Sequence, residues 1–239
     1  MFLFRGLIVR IAIVFVVLVV AAGAGWWFFI REDAKLATSA PAIPEEAKSS
    51  SAPAGSGTST GSTRYSIIPE QSEAAFFANE KLAKLSLPST AKGSTKVVQG
   101  TFYLTPNGLD TTQESKFTVD LTTLKSDERQ RDRQVQGRGL ETAKYPTATF
   151  VATKIEGLPA DFPAGQEVPL KLTGTMDLHG VQKQLTWDVK MRKEGNAISA
   201  LATVTFKYAD FGIPQLNIAG IVSVEDSVTL QMQVVAQAA

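Results

Sequence analysis

Leu170–Met191 reads LKLTGTMDLHGVQKQLTWDVKM. Leu170, Leu172, Met176 and Leu178 alternate with Lys171, Thr173, Thr175 and Asp177, and Gly174 stands in the apolar register. After His179-Gly180 the alternation resumes, with Leu185, Trp187, Val189 and Met191 set against Thr186, Asp188 and Lys190. A hydrophobic period of two marks strands with one buried face. A short break ending in glycine between two such runs marks a hairpin turn, so His179 is expected there as a turn residue.

The same period extends in both directions. Upstream, Phe117, Val119 and Leu121 alternate with Lys116, Thr118 and Asp120; downstream, Ile198, Ala200, Ala202, Val204 and Phe206 share one face, as do Val228, Leu230, Met232 and Val234. Pro106-Asn107-Gly108, Glu156-Gly157 and Glu194-Gly195-Asn196 separate the runs as turns. Closely spaced one-faced strands with no regular helices between them predict an all-β antiparallel sandwich or barrel. Ser126–Gly139 (SDERQRDRQVQGRG) is the exception. It predicts a short helix or ordered loop with Ser126 as N-cap and an Asp127–Arg131 pair. Either its arginines form a solvated face, or Arg129, Arg131 or Arg133 stands at a pocket mouth and meets a polar headgroup.

Ahead of this domain, residues 11–30 (IAIVFVVLVVAAGAGWWFFI) carry no charge. At 1.5 Å per residue they reach roughly 30 Å, the thickness of a bilayer's hydrocarbon core. Trp26 and Trp27 suit an interfacial belt, and Arg5 and Arg10 orient residues 1–10 toward the cytoplasm. The segment is expected to be one transmembrane helix, an uncleaved signal anchor in a single-pass protein whose C-terminal domain is extracytoplasmic. Residues 31–63 follow as a linker, and 22 of the 26 residues from Thr38 to Thr63 are Ala, Pro, Ser, Gly or Thr. That composition predicts a disordered tether, with the folded domain beginning at Arg64.

The 239-residue chain has no cysteine and a single histidine, which excludes thiolate metal sites, cysteine nucleophiles and multi-histidine metal cages. Five of its 24 basic and four of its 23 acidic residues precede Arg64, leaving nineteen of each in the domain. Such balance excludes a phosphate-neutralising surface, so no nucleic-acid partner is expected. Gly57-Thr58-Ser59-Thr60-Gly61 spells a hydrolase elbow but lies in the linker, away from any strand or helix. Ser89-Thr90-Ala91-Lys92 and Asp210-Phe211-Gly212 match catalytic strings of other enzymes without their companion motifs. No catalytic group, metal or cofactor is expected.

Five blocks in order resemble the YceI-like proteins across residues 64–239. They are Tyr65-Ser66-Ile67-Ile68-Pro69 with Ser72 and Phe76; Val98-Gln99-Gly100-Thr101-Phe102; Arg131-Asp132-Arg133 followed by Lys144-Tyr145-Pro146-Thr147-Ala148-Thr149-Phe150; Gly174 to Lys183; and Asp210-Phe211-Gly212-Ile213-Pro214. The resemblance implies an elongated, lipocalin-like antiparallel β-barrel holding a long apolar chain: a polyisoprenoid, a quinone-like lipid or a fatty amide. In many such proteins a histidine follows the first strand's phenylalanine, whereas here the stretch reads Phe77-Ala78-Asn79-Glu80-Lys81-Leu82.

Inward faces of an eight-stranded barrel either fill one another or line a tunnel for one slender ligand. The lining candidates are Phe117, Val119, Phe150, Leu172, Met176, Leu178, Trp187, Val189, Val204, Phe206 and Phe211. The expected function is that of a membrane-tethered cell-envelope module that sequesters or carries an isoprenoid or quinone-like lipid. The alternative is a structural or adhesion barrel with a side-chain-filled core that binds another protein.

Overall fold

In the computed structural model, which describes residues 34–49, 61–82, 88–215, 217–218 and 222–239, Val168–Leu178 and Val181–Glu194 pair as the predicted hairpin. Leu172 lies opposite Trp187 and Gly174 opposite Leu185. His179 and Gly180 form the turn at φ 56 and 73. Two successive left-handed residues make the reversed turn whose twist matches that of the flanking strands.

In chain order the strands are β1 (Thr63–Ile67), β2 (Glu73–Leu82), β3 (Pro88–Thr95), β4 (Val98–Thr105), β5 (Gly108–Leu109), β6 (Ser115–Asp120), β7 (Lys125–Ser126), β8 (Thr147–Glu156), β9 (Val168–Leu178), β10 (Val181–Glu194), β11 (Ala197–Lys207), β12 (Asn217–Ile218) and β13 (Val222–Ala238). Several are halves of one bent strand. β1 and β2 both pair with β13; β4 pairs with β1 and β3 with β2; β6 pairs with β4 and β7 with β3. Eight positions result, running up and down around a barrel that closes where β13 meets both β11 and the β1–β2 strand. Among the described residues, closure pairs β13 on both sides and so removes most of the edge that could template aggregation.

The inward faces carry a file of rings from five strands. Tyr65 stacks on Phe102 at 5.2 Å between centroids, Phe102 on Phe117 at 5.9 Å, Phe117 tilts against Phe150 at 6.4 Å, and Phe150 meets Trp187 edge-on at 5.8 Å. Between the strands of the last two rings lies β9, where Gly174 pairs with both Ala152 and Leu185. A Cβ at Gly174 would stand 2.6 Å from the tip of the Phe150 ring. The glycine in the apolar register is therefore the space that the Phe150 ring occupies.

Two sequence expectations change. Helix α1 (Glu45–Ser49) and the chain before it, from Ala34, are not a featureless tether but a strap on the outside of the barrel. The Gln231 side-chain amide clasps the Ala37 backbone, accepting from Ala37 N at 2.8 Å and donating to Ala37 O at 3.0 Å. Lys190 Nζ donates to Thr38 O, and Ala40 N donates to Glu167 Oε1. Ile43 and Ala47 are buried with Ala197 and Val235, and Lys48 Nζ reaches Glu194 at 2.7 Å. Composition missed this because its contacts come from positions far along the chain, most of them more than 100 residues away. The compact unit thus includes the strap from Ala34 ahead of the barrel, whose first strand starts at Thr63, while the expected segments 1–10 and 11–30 lie outside the described residues. Docking predicts that Ile43→Asp, which puts a charge where about 1.5–3 kcal/mol of side-chain burial stood, makes bonds between Ala34 and Lys48 cleavable at protease levels that leave the wild type intact. Equal cleavage of both proteins, read by mass spectrometry, would show that the strap does not dock.

The second change is at Ser126–Gly139. Helix α2 spans Arg129–Gln134 and continues as a wider turn over Val135–Gly139. Its N-cap is Glu128, whose carboxylate accepts from Gln130 N at 3.0 Å, not Ser126. Ser126 sits two residues earlier, accepting from Glu128 N and donating to Asp132 at 2.6 Å. Likewise, the upstream alternating run ends at Asp120, whose carboxylate accepts from Thr122 N at 2.8 Å and starts the turn Leu121–Thr123.

Candidate functional site

The barrel is hollow. A cavity of about 210 Å³ runs inside it, many times the roughly 10–15 Å³ that one water requires. Among the described residues, its wall contains no charged side chain. Nine of the eleven predicted lining residues form part of that wall: Phe117, Val119, Phe150, Leu172, Met176, Leu178, Trp187, Val189 and Phe206. The strand period alone brought these together, because every second residue of each strand points into the barrel.

Val204 and Phe211 are buried but lie outside the wall. Phe211 is fully buried in the turn after β11, edge-on to Phe206 at 4.8 Å, where its ring packs as core. Its carbonyl accepts from His179 Nδ1 at 3.2 Å, while His179 Nε2 lies 3.0 Å from Glu141 and the imidazole stacks edge-on against Tyr145. His179 is thus the predicted turn residue and also a tie between three loops at that end.

Four further wall residues were not counted as lining from the sequence: Leu121, which closes the alternating run of β6, and Leu124, Val135 and Leu140, which follow no period and come from the turn after β6 and from the segment around α2. Gln136 holds these two pieces together, its amide donating to Leu124 O at 2.8 Å. They cover the interior at the end where β6 stops and β8 begins. Short apolar residues scattered through a charged stretch were the available signal, but only the fold turns them inward.

The three headgroup candidates separate. Arg129 and Arg133 are exposed on α2. Arg131 turns inward and is committed to protein carboxylates, donating through Nε and Nη2 to Glu80 at 3.1 and 3.2 Å and through Nη1 to Asp127. Burial pulls its pKa down, and the Glu80 and Asp127 carboxylates outweigh that, so it lies above the ordinary value. Tyr208, a wall residue, has its phenol pushed up to about 12 by burial and by the Glu80 charge, and stays protonated at neutral pH.

An eight-stranded closed antiparallel barrel holds either side chains or one small ligand inside, and the cavity places this one in the hollow class. The chain belongs to the YceI-like family, whose domain model matches residues 65–236. It is 32% identical over 114 residues to a UPF0312 protein of Vibrio parahaemolyticus, covering 45% of this chain and 57% of that one. To Protein YceI of Escherichia coli O157:H7 it is 29% identical over 133 residues, 55% of this chain and 63% of the other. These matches span somewhat over half the length of either relative. Among solved structures, a polyisoprenoid binding domain from Saccharophagus degradans superposes with a TM-score of 0.56 at 19% identity, over 73% of this chain and 98% of that one. BcnA of Burkholderia cenocepacia gives 0.55 at 19% identity, over 72% and 99%. Both share the fold.

Proposed function

We propose that the barrel binds the apolar chain of an isoprenoid, quinone-like or similar lipid in its interior, and sequesters or carries it outside the cytoplasm, tethered to the membrane by residues 11–30. The observation that carries this reading is the uncharged cavity lined by inward-facing hydrophobic and aromatic side chains. Burying an apolar chain there yields about 25 cal/mol per Å² removed from water, and such pockets need few polar contacts. The likeness to a domain described as polyisoprenoid-binding supports the same ligand class. The uncharged, uninterrupted run of residues 11–30 supports the tether.

The adhesion alternative called for a filled interior and an apolar outer patch. The cavity removes the first. Against the second, only Leu36 and Val97 are exposed large hydrophobics among the described residues, too few for the patch of several hundred Å² that marks an interaction surface. The test is organic-solvent extraction of the purified full-length protein followed by mass spectrometry. Near-stoichiometric recovery of one long-chain lipid class is expected; recovery of none, with no uptake of added lipid, overturns the proposal.

A further inference from the structure

One group in the cavity wall has no partner. Trp187 is 6% exposed, and its indole Nε1 is buried without a hydrogen-bond acceptor among the described residues. Buried tryptophan N–H groups ordinarily find an acceptor, and leaving one unsatisfied costs about 1–3 kcal/mol. Apolar strand positions usually take Leu, Ile, Val or Phe, which carry no such cost.

Its place in the barrel narrows what could satisfy it. Trp187 is the seventh of the fourteen residues of β10, so it stands midway between the two ends of that strand. The wall's other polar side chains are elsewhere engaged or placed. The Gln231 amide is taken by Ala37 and by Thr203. Thr149 alternates with the inward Ala148 and Phe150, and Tyr208 lies in the turn after β11. At mid-barrel the indole N–H is therefore, among the described residues, a lone donor on a carbon wall. An ionised ligand group there would face no countercharge, and burying it uncompensated costs far more than one hydrogen bond contributes.

We propose that Trp187 is a specificity residue of this cavity, donating its indole N–H to an uncharged carbonyl oxygen, of a ketone, quinone, ester or amide, carried by the bound lipid at mid-barrel depth. This rests on the lipid-binding reading above and refines it: a chain of pure hydrocarbon leaves the donor unmatched, and a carbonyl at that depth completes it.

The test compares a straight-chain alkane with the ketone of the same length, each displacing a fluorescent polyene from the full-length chain and from Trp187→Phe, which keeps an aromatic ring and removes the N–H. The ratio of ketone to alkane affinity is expected to fall about fivefold in the variant, within the roughly two- to twelvefold that a net hydrogen bond is worth. An unchanged ratio with both ligands still binding overturns the role of Trp187 and leaves the lipid-binding reading intact. Binding of neither ligand by the wild type overturns that reading as well. A second measurement does not depend on the variant folding. With Trp26 and Trp27 replaced by Phe, the only remaining indole is that of Trp187, and its N–H proton resonance is expected to move downfield on adding ketone and not alkane. A resonance indifferent to ketone at saturation means that the donor instead rests on a ring face such as that of Phe150, and overturns the proposal.

Discussion

Gly174→Ala lowers the melting temperature by roughly 6–12 °C or prevents folding altogether, the largest stability effect expected from a single methyl group among the described glycines. The added Cβ would stand 2.2 Å from Val151 O and 2.9 Å from Ala152 Cα, both backbone atoms of the neighbouring strand. A flexible side chain could swing away; a paired backbone cannot without opening the β8–β9 ladder, which already carries an irregularity between Ala152 and Lys154. Overpacked cores lose about 1–3 kcal/mol, occasionally more, and a backbone clash belongs at or beyond the top of that range. For a domain of this size each kcal/mol is about 2–4 °C. Gly137→Ala is the control, since its Cβ would meet nothing within 4 Å. There, restricting the unfolded chain is worth about 0.4–1 kcal/mol in favour of folding. Equal melting temperatures for the two variants would refute the packing role of Gly174.

Ala202→Phe abolishes lipid retention while leaving the barrel folded. Ala202 is a buried wall residue of β11, opposite Met232 on β13, so a benzyl group there projects into the 210 Å³ cavity. Displacing about 100 Å² of lipid contact would forfeit roughly 2.5 kcal/mol, a fall in affinity of about sixtyfold, before any steric exclusion. Because the ring fills space rather than displacing packed atoms, the melting temperature of the lipid-free protein should hold or rise. Thr205→Phe, on the exposed side of the same strand, should retain lipid as the wild type does. Full retention by Ala202→Phe, measured by solvent extraction, would mean that the lipid lies elsewhere.

Gly174 and Trp187 were legible in the sequence to different depths. Gly174 was readable as an apolar-register position, because alternation on either side leaves its parity unambiguous. That a methyl group cannot be accommodated there depends on which ring of β8 leans over it, and so on register. Trp187 was readable as inward. That its N–H lacks an acceptor depends on every neighbour in the finished barrel. Arg131 shows the converse. Charge density made it a headgroup candidate on equal terms with Arg129 and Arg133, and only folding set Glu80, 51 residues earlier, within hydrogen-bond reach.

By itself, the sequence determined the all-β class, the identity of most inward faces, the His179-Gly180 turn and the family. All of these follow from periods and motifs confined to a few neighbouring residues, where the alternation of side chains leaves one answer. The tertiary structure alone decided that the inward faces enclose a space instead of filling it, which residues of the α2 segment cover one end, and that a Ser/Pro/Ala-rich segment docks as a strap. Those outcomes are set by barrel radius and by contacts between residues tens to hundreds of positions apart. Local pattern carries no record of such distances.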